Sequence, residues 1–137
     1  MGKMTVFLDT NVVMEYVARR QHFMPVARVI DLALRKKLSI AISALTFVNV
    51  AYIMRKATKE DVMFKLTQLY NLCTVPPISD YMIGNALEED PKDFEDYIQY
   101  QSALQANADI IMTYDTDGFT DVALPVMTAE EFVDKCS

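Results

Sequence analysis

The chain has 137 residues, 52% of them hydrophobic, and a formal net charge of −6. This length suits one domain, residues 1–137, and the apolar content favours a sheet covered on both faces. No apolar run reaches the roughly 18–20 residues that span a bilayer, so we expect no membrane contact. Nothing resembles a signal peptide, and Cys73 and Cys136 lack CxxC spacing, which favours a reducing, cytoplasmic compartment.

Charge is distributed unevenly along the chain. Residues 1–70 hold 11 Lys and Arg against 5 Asp and Glu, whereas residues 71–137 hold 2 against 14. A uniformly acidic protein would repel nucleic acid, but one with a basic half need not. An acidic half can also supply metal ligands. The alternative is that these charges are solvated and scattered by chance.

Strand-like and helix-like stretches alternate throughout. We expect strands at residues 4–8, 39–42, 73–75, 109–113 and 125–127. We expect helices at about 10–19, 24–37, 45–56 and 59–72, from Ser79 to Leu87, from Asp93 to Asn107, and after Thr128, with residues 88–94 (EEDPKDF) as a loop. Ser43 or Thr46 is the expected N-cap of the third helix. This alternation predicts βαβ units and a parallel α/β sheet with the first strand near its centre.

Three aspartates fall where such a sheet would gather them. Asp9 follows the first strand, Asp115 follows the fourth, and Asp96 lies early in the helix that feeds the fourth. That helix carries a sheet-facing set of small or apolar residues, Ile98, Ala103, Leu104 and Ala106. Ligands of open α/β sheets bind at the carboxyl ends of the strands, so we expect the three carboxylates to converge there.

Converging carboxylates repel one another, and hard divalent cations such as Mg²⁺ or Mn²⁺ relieve that repulsion. Asn11 and Thr113 could orient a carboxylate or a water. Taken singly, each aspartate has an ordinary structural explanation: Asp9 as an N-cap, Asp96 as a partner of the helix dipole, and Asp115 as a turn residue.

The remaining candidate residues, a histidine and two basic pairs, give weaker indications of function. His22 is the only histidine and is expected to be a cap or surface residue, so His-based catalysis has no support. Two basic pairs, Arg19-Arg20 and Arg55-Lys56, end predicted helices, where they are either dipole partners or contacts to a nucleic-acid backbone.

Four segments taken together resemble the PIN domain, and most closely its VapC-like branch of bacterial toxin nucleases. They are LDTNV, SALTFVNVAYIMRK, DFEDYIQYQSALQANADIIMT, and the D and GF of DTDGF, and the resemblance runs from about Met4 to Phe132. It implies a three-layer α/β/α sandwich with a parallel sheet of four to five strands in the order 3-2-1-4-5. It also implies RNA cleavage dependent on Mg²⁺ or Mn²⁺, with Asp9, Asp96 and Asp115 on three of the family's acidic positions. A toxin of this kind would have an antitoxin partner, and the family implies a homodimer.

One position departs from the family pattern. Asn49 stands where the family usually has a glutamate, in SALTFVNV. Asn49 can still hydrogen-bond a metal-bound water, but a second ion becomes less favourable. Glu15, Glu95 or Asp117 could substitute; Asp117 is the best placed, since Glu15 is expected to face solvent and Glu95 to lie on a different helix face. The alternative function is a degenerate PIN domain that binds RNA or protein with little or no nuclease activity.

Overall fold

Five short parallel strands form the centre of the computed structural model, which describes residues 3–136. They are β1 (Thr5–Leu8), β2 (Ser39–Ala41), β3 (Cys73–Thr74), β4 (Ile110–Met112) and β5 (Val126–Met127). Their order is β3-β2-β1-β4-β5, and every neighbouring pair is parallel. The predicted sheet, with its central first strand and its 3-2-1-4-5 order, is confirmed.

Helices connect the strands on both sides of this sheet. They are α1 (Thr10–Val17), α2 (Phe23–Leu34), α3 (Ala44–Ile53), α4 (Lys59–Leu72), α5 (Asp80–Glu89), α6 (Phe94–Gln105) and α7 (Ala129–Cys136), with a 3₁₀ turn at Thr116–Phe119. Ser43, and not Thr46, caps α3, because its hydroxyl accepts a hydrogen bond from the Thr46 amide. The predicted loop 88–94 is shorter than expected, since Glu88 and Glu89 belong to α5 and Phe94 begins α6.

Three predicted helices end earlier than expected. Those predicted at 10–19, 24–37 and Asp93–Asn107 end at Val17, Leu34 and Gln105. The residue two positions beyond each end has a positive φ of 50° at Arg19, 61° at Lys36 and 54° at Asn107. This left-handed residue turns the chain out of the helix, a role that glycine usually fills. The third predicted helix, 45–56, also ends sooner, at Ile53.

Side chains of alternating strand residues face two separate cores, which makes three layers. Val6 and Leu8 of β1 belong to a large cluster shared with α1, α2, α3, α4 and α7. Phe7 faces the other way and belongs to a smaller cluster with Ala103 of α6 and Phe119 of the 3₁₀ turn. The sheet is therefore covered on both faces. Ligands of such sheets bind at the carboxyl ends of the strands, so the site is to be sought there.

Two further observations concern the length of the helices and the cysteine thiols. Within residues 3–136, no helix is both long and apolar enough to cross a membrane. Cys73 and Cys136 are free thiols, and burial raises the pKa of the Cys73 thiol to about 11. A thiol with so high a pKa is almost entirely protonated near neutral pH and is a weak nucleophile.

Candidate active site

The register of β1 and β4 places Asp9 beside Thr113. Leu8 pairs with Met112, and the Asp9 amide continues the ladder by donating to the Met112 carbonyl at 3.0 Å. The next residues along both strands, Asp9 and Thr113, therefore emerge side by side at the carboxyl edge. Both are buried, with Asp9 only 5% exposed.

Four neutral donors hold the buried Asp9 carboxylate. Oδ1 accepts from the Thr10 amide at 2.8 Å and from Gln99 Nε2 at 3.0 Å. Oδ2 accepts from the Thr113 hydroxyl at 2.8 Å and from Asn11 Nδ2 at 3.3 Å. Neither of the two ion pairs found among residues 3–136 involves Asp9. Its charge is stabilised by oriented dipoles, which is the condition for a buried ionised carboxylate to persist.

Asn11 and Thr113 tie the two strand ends together, as their sequence positions suggested. Asn11 Nδ2 also donates to Thr113 Oγ1 at 3.1 Å, while Asn11 Oδ1 accepts from the Tyr114 amide at 3.0 Å. Thr113 Oγ1 in turn accepts from the Asp115 amide at 3.0 Å. These bonds fix the segment that carries Asp115 relative to Asp9.

Gln99 is a site residue that the sequence analysis missed. Its fully buried amide donates to Asp9, to Thr10 Oγ1 at 3.3 Å and to Thr46 Oγ1 at 3.0 Å, and its Oε1 accepts from the Ser43 hydroxyl. The sequence signal was a long polar side chain next to Ile98 on the sheet-facing side of α6. Of the residues expected on that side, Ile98 and Ala103 are buried, whereas Leu104 is 41% exposed.

Asp96 and Asp115 face each other across a hollow above Gly118. A methyl group built on the Gly118 Cα would lie 2.6 Å from Asp96 Oδ2 and 3.2 Å from Asp115 Oδ2. Asp96 Oδ2 and Asp115 Oδ2 thus lie on either side of one small space, which is open because residue 118 is a glycine and has no side chain. Asp115 is exposed and Asp96 half-buried, so the hollow is accessible from solvent.

The electrostatics of Asp96 reflect this crowding. Burial, followed by the charges of Asp93, Asp9, Asp115 and Glu95, raises its pKa from 3.8 to about 6. Carboxylates that share a poorly solvated space favour the neutral form of one of their members. A cation in the same space would reverse that preference.

Asn49 and Glu95 meet at the rim of the site. Asn49 Nδ2 donates to Glu95 Oε2 at 3.0 Å in an exposed contact between α3 and α6. The expectation that Glu95 lies on a different helix face from Asp96 stays a prediction, and Glu95 contacts α3 through Asn49. α6 begins at Phe94 and is rotated so that Glu95 and Gln99, one turn apart, both reach α3.

The other candidates stand apart from the Asp9 network. Asp117 is exposed in the 3₁₀ turn, and Glu15 accepts from the His22 amide at 2.7 Å. The guanidinium of Arg19 lies 4.4 Å from the ring centroid of Phe23. That of Arg55 lies 4.1 Å from the ring centroid of Tyr52, and Arg20 and Lys56 are exposed.

His22 is neither an N-cap by its side chain nor a simple surface residue. It occupies the N-cap position of α2 without a capping side-chain bond. Its ring stacks on Tyr114 at a centroid distance of 4.1 Å, and Nδ1 contacts Glu130 Oε2. The Tyr114 hydroxyl donates to the same carboxylate, so the cluster fastens α7 to the segment after β4.

The donor set suits a hard divalent ion that keeps part of its water shell. Within residues 3–136, no group of three His, Cys, Asp or Glu side chains is arranged around one point as a closed metal site. Mg²⁺ is commonly held by one or two carboxylates together with waters and substrate phosphates. The hollow between Asp96 and Asp115, with Asp9 behind it, offers that kind of ligand and the space for an ion.

Comparison with known proteins identifies the family. A sequence model of the PIN domain matches residues 5–117. The chain belongs to the PIN domain family. No curated protein sequence matches this PIN domain significantly.

Solved structures of toxin–antitoxin proteins share its fold. VapBC2 from Rickettsia felis, bound to a promoter DNA fragment, aligns with a TM-score of 0.68 at 21% identity, over 90% of this PIN domain and 97% of that chain. A toxin–antitoxin complex from Klebsiella pneumoniae gives 0.65 at 21% identity, over 90% and 97%. VapC20 of Mycobacterium tuberculosis, a sarcin–ricin loop cleaving toxin, gives 0.64 at 14% identity, over 82% and 92%. At these identities, the similarity establishes the fold alone.

Proposed function

We propose that this PIN domain is a metal-dependent endoribonuclease and the toxin of a toxin–antitoxin pair. The observation that carries the proposal is the pair of carboxylates, Asp96 and Asp115, facing each other over Gly118 beside the buried Asp9. Membership of the PIN family supports a hydrolase acting on nucleic acid. The structural similarity to VapC20, whose cleaved target is the RNA sarcin–ricin loop, supports RNA as the substrate.

Asp96 and Asp115 would hold a Mg²⁺ or Mn²⁺ ion, with Asp9 behind them and Asp117 on the same turn as a further candidate. Such an ion lowers the pKa of a bound water and stabilises charge on a phosphate. Asp9 itself accepts hydrogen bonds from four neutral donors. Asn11 and Thr113 fix the spacing between Asp9 and the Asp115 segment, which holds the acidic groups in place before RNA arrives.

The basic half of the chain provides the complementary charge for RNA. Arg19, Arg20, Arg55 and Lys56 remain candidates for contacts to the RNA backbone. Lys and Arg neutralise phosphates without regard to sequence, so this surface would set affinity rather than target choice.

An antitoxin is the proposed protein partner, and the cytoplasm is the proposed compartment. The VapBC2 and Klebsiella structures are toxin–antitoxin assemblies, which supports a partner of that kind here. A homodimer stays a prediction. Exposed apolar side chains on α3 and α4, including Val48, Tyr52, Phe64 and Tyr70, are the surface that we propose for it.

A degenerate PIN domain is the second candidate function. It is favoured by Asn49, which is neutral, and by the lack, within residues 3–136, of three acidic side chains closed around one point. A domain of that kind would still bind RNA through its basic half but would not cleave it.

Cleavage of a single-stranded RNA across a Mn²⁺ titration separates the two functions. We expect cleavage by the parent that rises with Mn²⁺, is abolished by EDTA and is lost in Asp115→Asn. Asp121→Asn is the matched control, because it removes an equally exposed aspartate beyond the 3₁₀ turn and should cleave as the parent does. RNA binding without cleavage at any Mn²⁺ concentration would establish the degenerate domain. Activity that survives in Asp115→Asn would contradict the assigned site.

A further inference from the structure

Three lysines lie at the amino edge of the sheet, opposite the candidate active site. The register of β1 and β2 pairs Thr5 with Ser39, the first residues of the two strands. Lys3 and Lys37 each precede their strand by two residues, so the same register places their backbones side by side, roughly 5 Å apart. Lys36 adjoins them in the turn that follows α2. We call Lys3, Lys36 and Lys37 the lysine edge.

The charges of the lysine edge are not neutralised within the described part of the chain. All three side chains are exposed, and neither ion pair found among residues 3–136 involves them. The neighbouring Arg35 is paired with Asp31 at 3.0 Å, and Asp109, which precedes β4 at the same edge, accepts from the Thr5 amide at 2.8 Å. Like charges side by side on neighbouring strands are destabilising. The free protein therefore contains a repulsion at this edge that an anionic ligand would relieve.

The chemistry of the lysine edge suits a phosphodiester backbone better than a protein. Lysine is depleted at protein–protein interfaces, whereas its ammonium group binds phosphate as a point charge. In a chain with a net charge of −6, neighbouring unpaired cations form a local positive field that attracts a polyanion. Contacts of this kind position a nucleic acid without reading its bases.

β1 connects the lysine edge to the candidate active site. Lys3 and Asp9 are six residues apart and lie at opposite ends of this strand. Six residues of extended chain span about 20 Å. A short RNA that occupies the carboxyl edge therefore cannot reach the lysine edge, whereas a longer RNA can contact both.

We propose that the lysine edge is a second binding surface for RNA, which holds the phosphate backbone outside the segment that is cleaved. The surface adds affinity for long RNA and no preference for a base sequence. This inference rests on the proposed function, since it takes RNA as the substrate.

Binding of labelled single-stranded RNA in EDTA, measured by fluorescence anisotropy across a salt titration, tests the proposal. Two lengths are compared, about 4 and about 16 nucleotides, the limits of ordinary single-strand site sizes. Lys3→Gln/Lys37→Gln should weaken binding of the longer RNA and leave that of the shorter one unchanged. The slope of log affinity against log salt should fall by about 1.4, because each phosphate contact contributes about 0.7. The loss of affinity should accordingly be about sevenfold greater at about 50 mM salt than at about 200 mM.

Two variants are the matched controls. Lys3→Arg/Lys37→Arg keeps both charges and should bind both RNAs as the parent does. Lys59→Gln/Lys92→Gln removes the same charge from two exposed lysines that adjoin acids, Glu60 and Asp93, and should not change the preference for the longer RNA.

The outcomes separate the lysine edge from the proposed nuclease. If Lys3→Gln/Lys37→Gln binds both RNAs as the parent does, or loses affinity for both lengths equally, the lysine edge is wrong. The proposed function stands in that case if the parent cleaves the shorter RNA with Mn²⁺. Lysine-dependent binding of the longer RNA, without cleavage by the parent at any Mn²⁺ concentration, would support the lysine edge and contradict the nuclease.

Discussion

The Asp9 carboxylate serves two roles that sequence reasoning treats as alternatives. It is the N-cap of α1, since Oδ1 accepts from the Thr10 amide, and it is also the buried centre of a network drawn from β4 and α6. Its four donors are all neutral. An ion at Asp96 and Asp115 would therefore meet an Asp9 charge that is already stabilised, and no rearrangement of the core is needed to create it.

Asp96 should make the stability of the fold depend on pH. Its pKa of about 6 in the folded chain lies above the ordinary value of 3.8, so the folded state binds the proton more tightly than the unfolded state. Stability from this group is complete below about pH 4 and is lost as the pH rises through 6. In EDTA, Asp96→Asn should flatten the melting temperature between pH 4 and 7 and raise it at pH 7.

The control for this prediction is Asp121→Asn, an exposed aspartate that does not contribute to the raised pKa of Asp96. It should keep the pH profile of the parent. A lower melting temperature for Asp96→Asn at pH 7 would show that its charge stabilises the helix start more than the neighbouring carboxylates destabilise it.

Gly118 should control access of an ion to the hollow. In Gly118→Ala the new methyl would meet Asp96 Oδ2 at 2.6 Å, so the carboxylate must turn away from Asp115. Because the displaced atom is the end of a flexible side chain and Gly118 has no positive φ, stability should change little. The rise in melting temperature on adding Mn²⁺ should shrink.

Gly84→Ala is the matched substitution for that test. A methyl at Gly84, in α5, has no atom within 4 Å and should stabilise the helix by roughly 0.5–1 kcal/mol. Its Mn²⁺ response should equal that of the parent. An unchanged Mn²⁺ response in Gly118→Ala would place the ion elsewhere.

At the scale of elements, the helix ends explain where sequence reasoning failed. In α2 the Lys37 amide donates to the Leu32 carbonyl at 2.9 Å and the Lys36 amide to the Ala33 carbonyl at 3.0 Å, the bonding pattern of a Schellman cap. Glycine normally marks such a cap, but the chain has only three glycines. With Lys36 in that place, the sequence carried no stop signal, and the predicted helix ran on to residue 37.

Lys36→Gly should therefore stabilise the protein. A non-glycine residue pays a steric penalty of about 1–2 kcal/mol in the left-handed region, which glycine avoids. Glycine's greater freedom in the unfolded chain offsets part of this, so we expect a gain of roughly 0.5–1 kcal/mol in chemical denaturation. Lys37→Gly removes the same charge at a neighbouring exposed position without a positive φ, and should be neutral or destabilising. Equal effects of Lys36→Gly and Lys37→Gly on the free energy of unfolding would mean that the loss of charge, and not the backbone conformation, causes the change.

Sequence reasoning predicted the positions of the strands more reliably than which face of a helix points towards the sheet. Asp9 and Asp115 follow buried strands, and the rule that ligands bind at strand carboxyl ends was enough to select them. The orientation of α6 depends on Gln99 packing among Asp9, Thr10 and Thr46, three contacts between residues more than 50 positions apart. Local periodicity contains no information about such contacts, which is why Gln99 was missed.

Across the whole molecule, the site lies where the two oppositely charged halves of the chain meet. β1 and β2 come from the basic half, residues 1–70, and β3, β4 and β5 from the acidic half. Since β1 and β4 are neighbours, one boundary between the halves runs between Asp9 and Asp115.

The central position of β1 also fixes when the site can form during synthesis. Asp9 leaves the ribosome early, but the Thr113 hydroxyl that bonds it lies 104 residues later, and Gln99 lies 90 residues later. Until β4 has emerged, β1 lacks one of its two neighbours, and until α6 and β4 have both emerged the Asp9 carboxylate lacks half of its donors. A nascent chain that stops before β4 therefore cannot carry the site. Translation must therefore pass β4, and the β1–β4 pairing must close, before the site exists, and long-range pairing of this kind is slow to form.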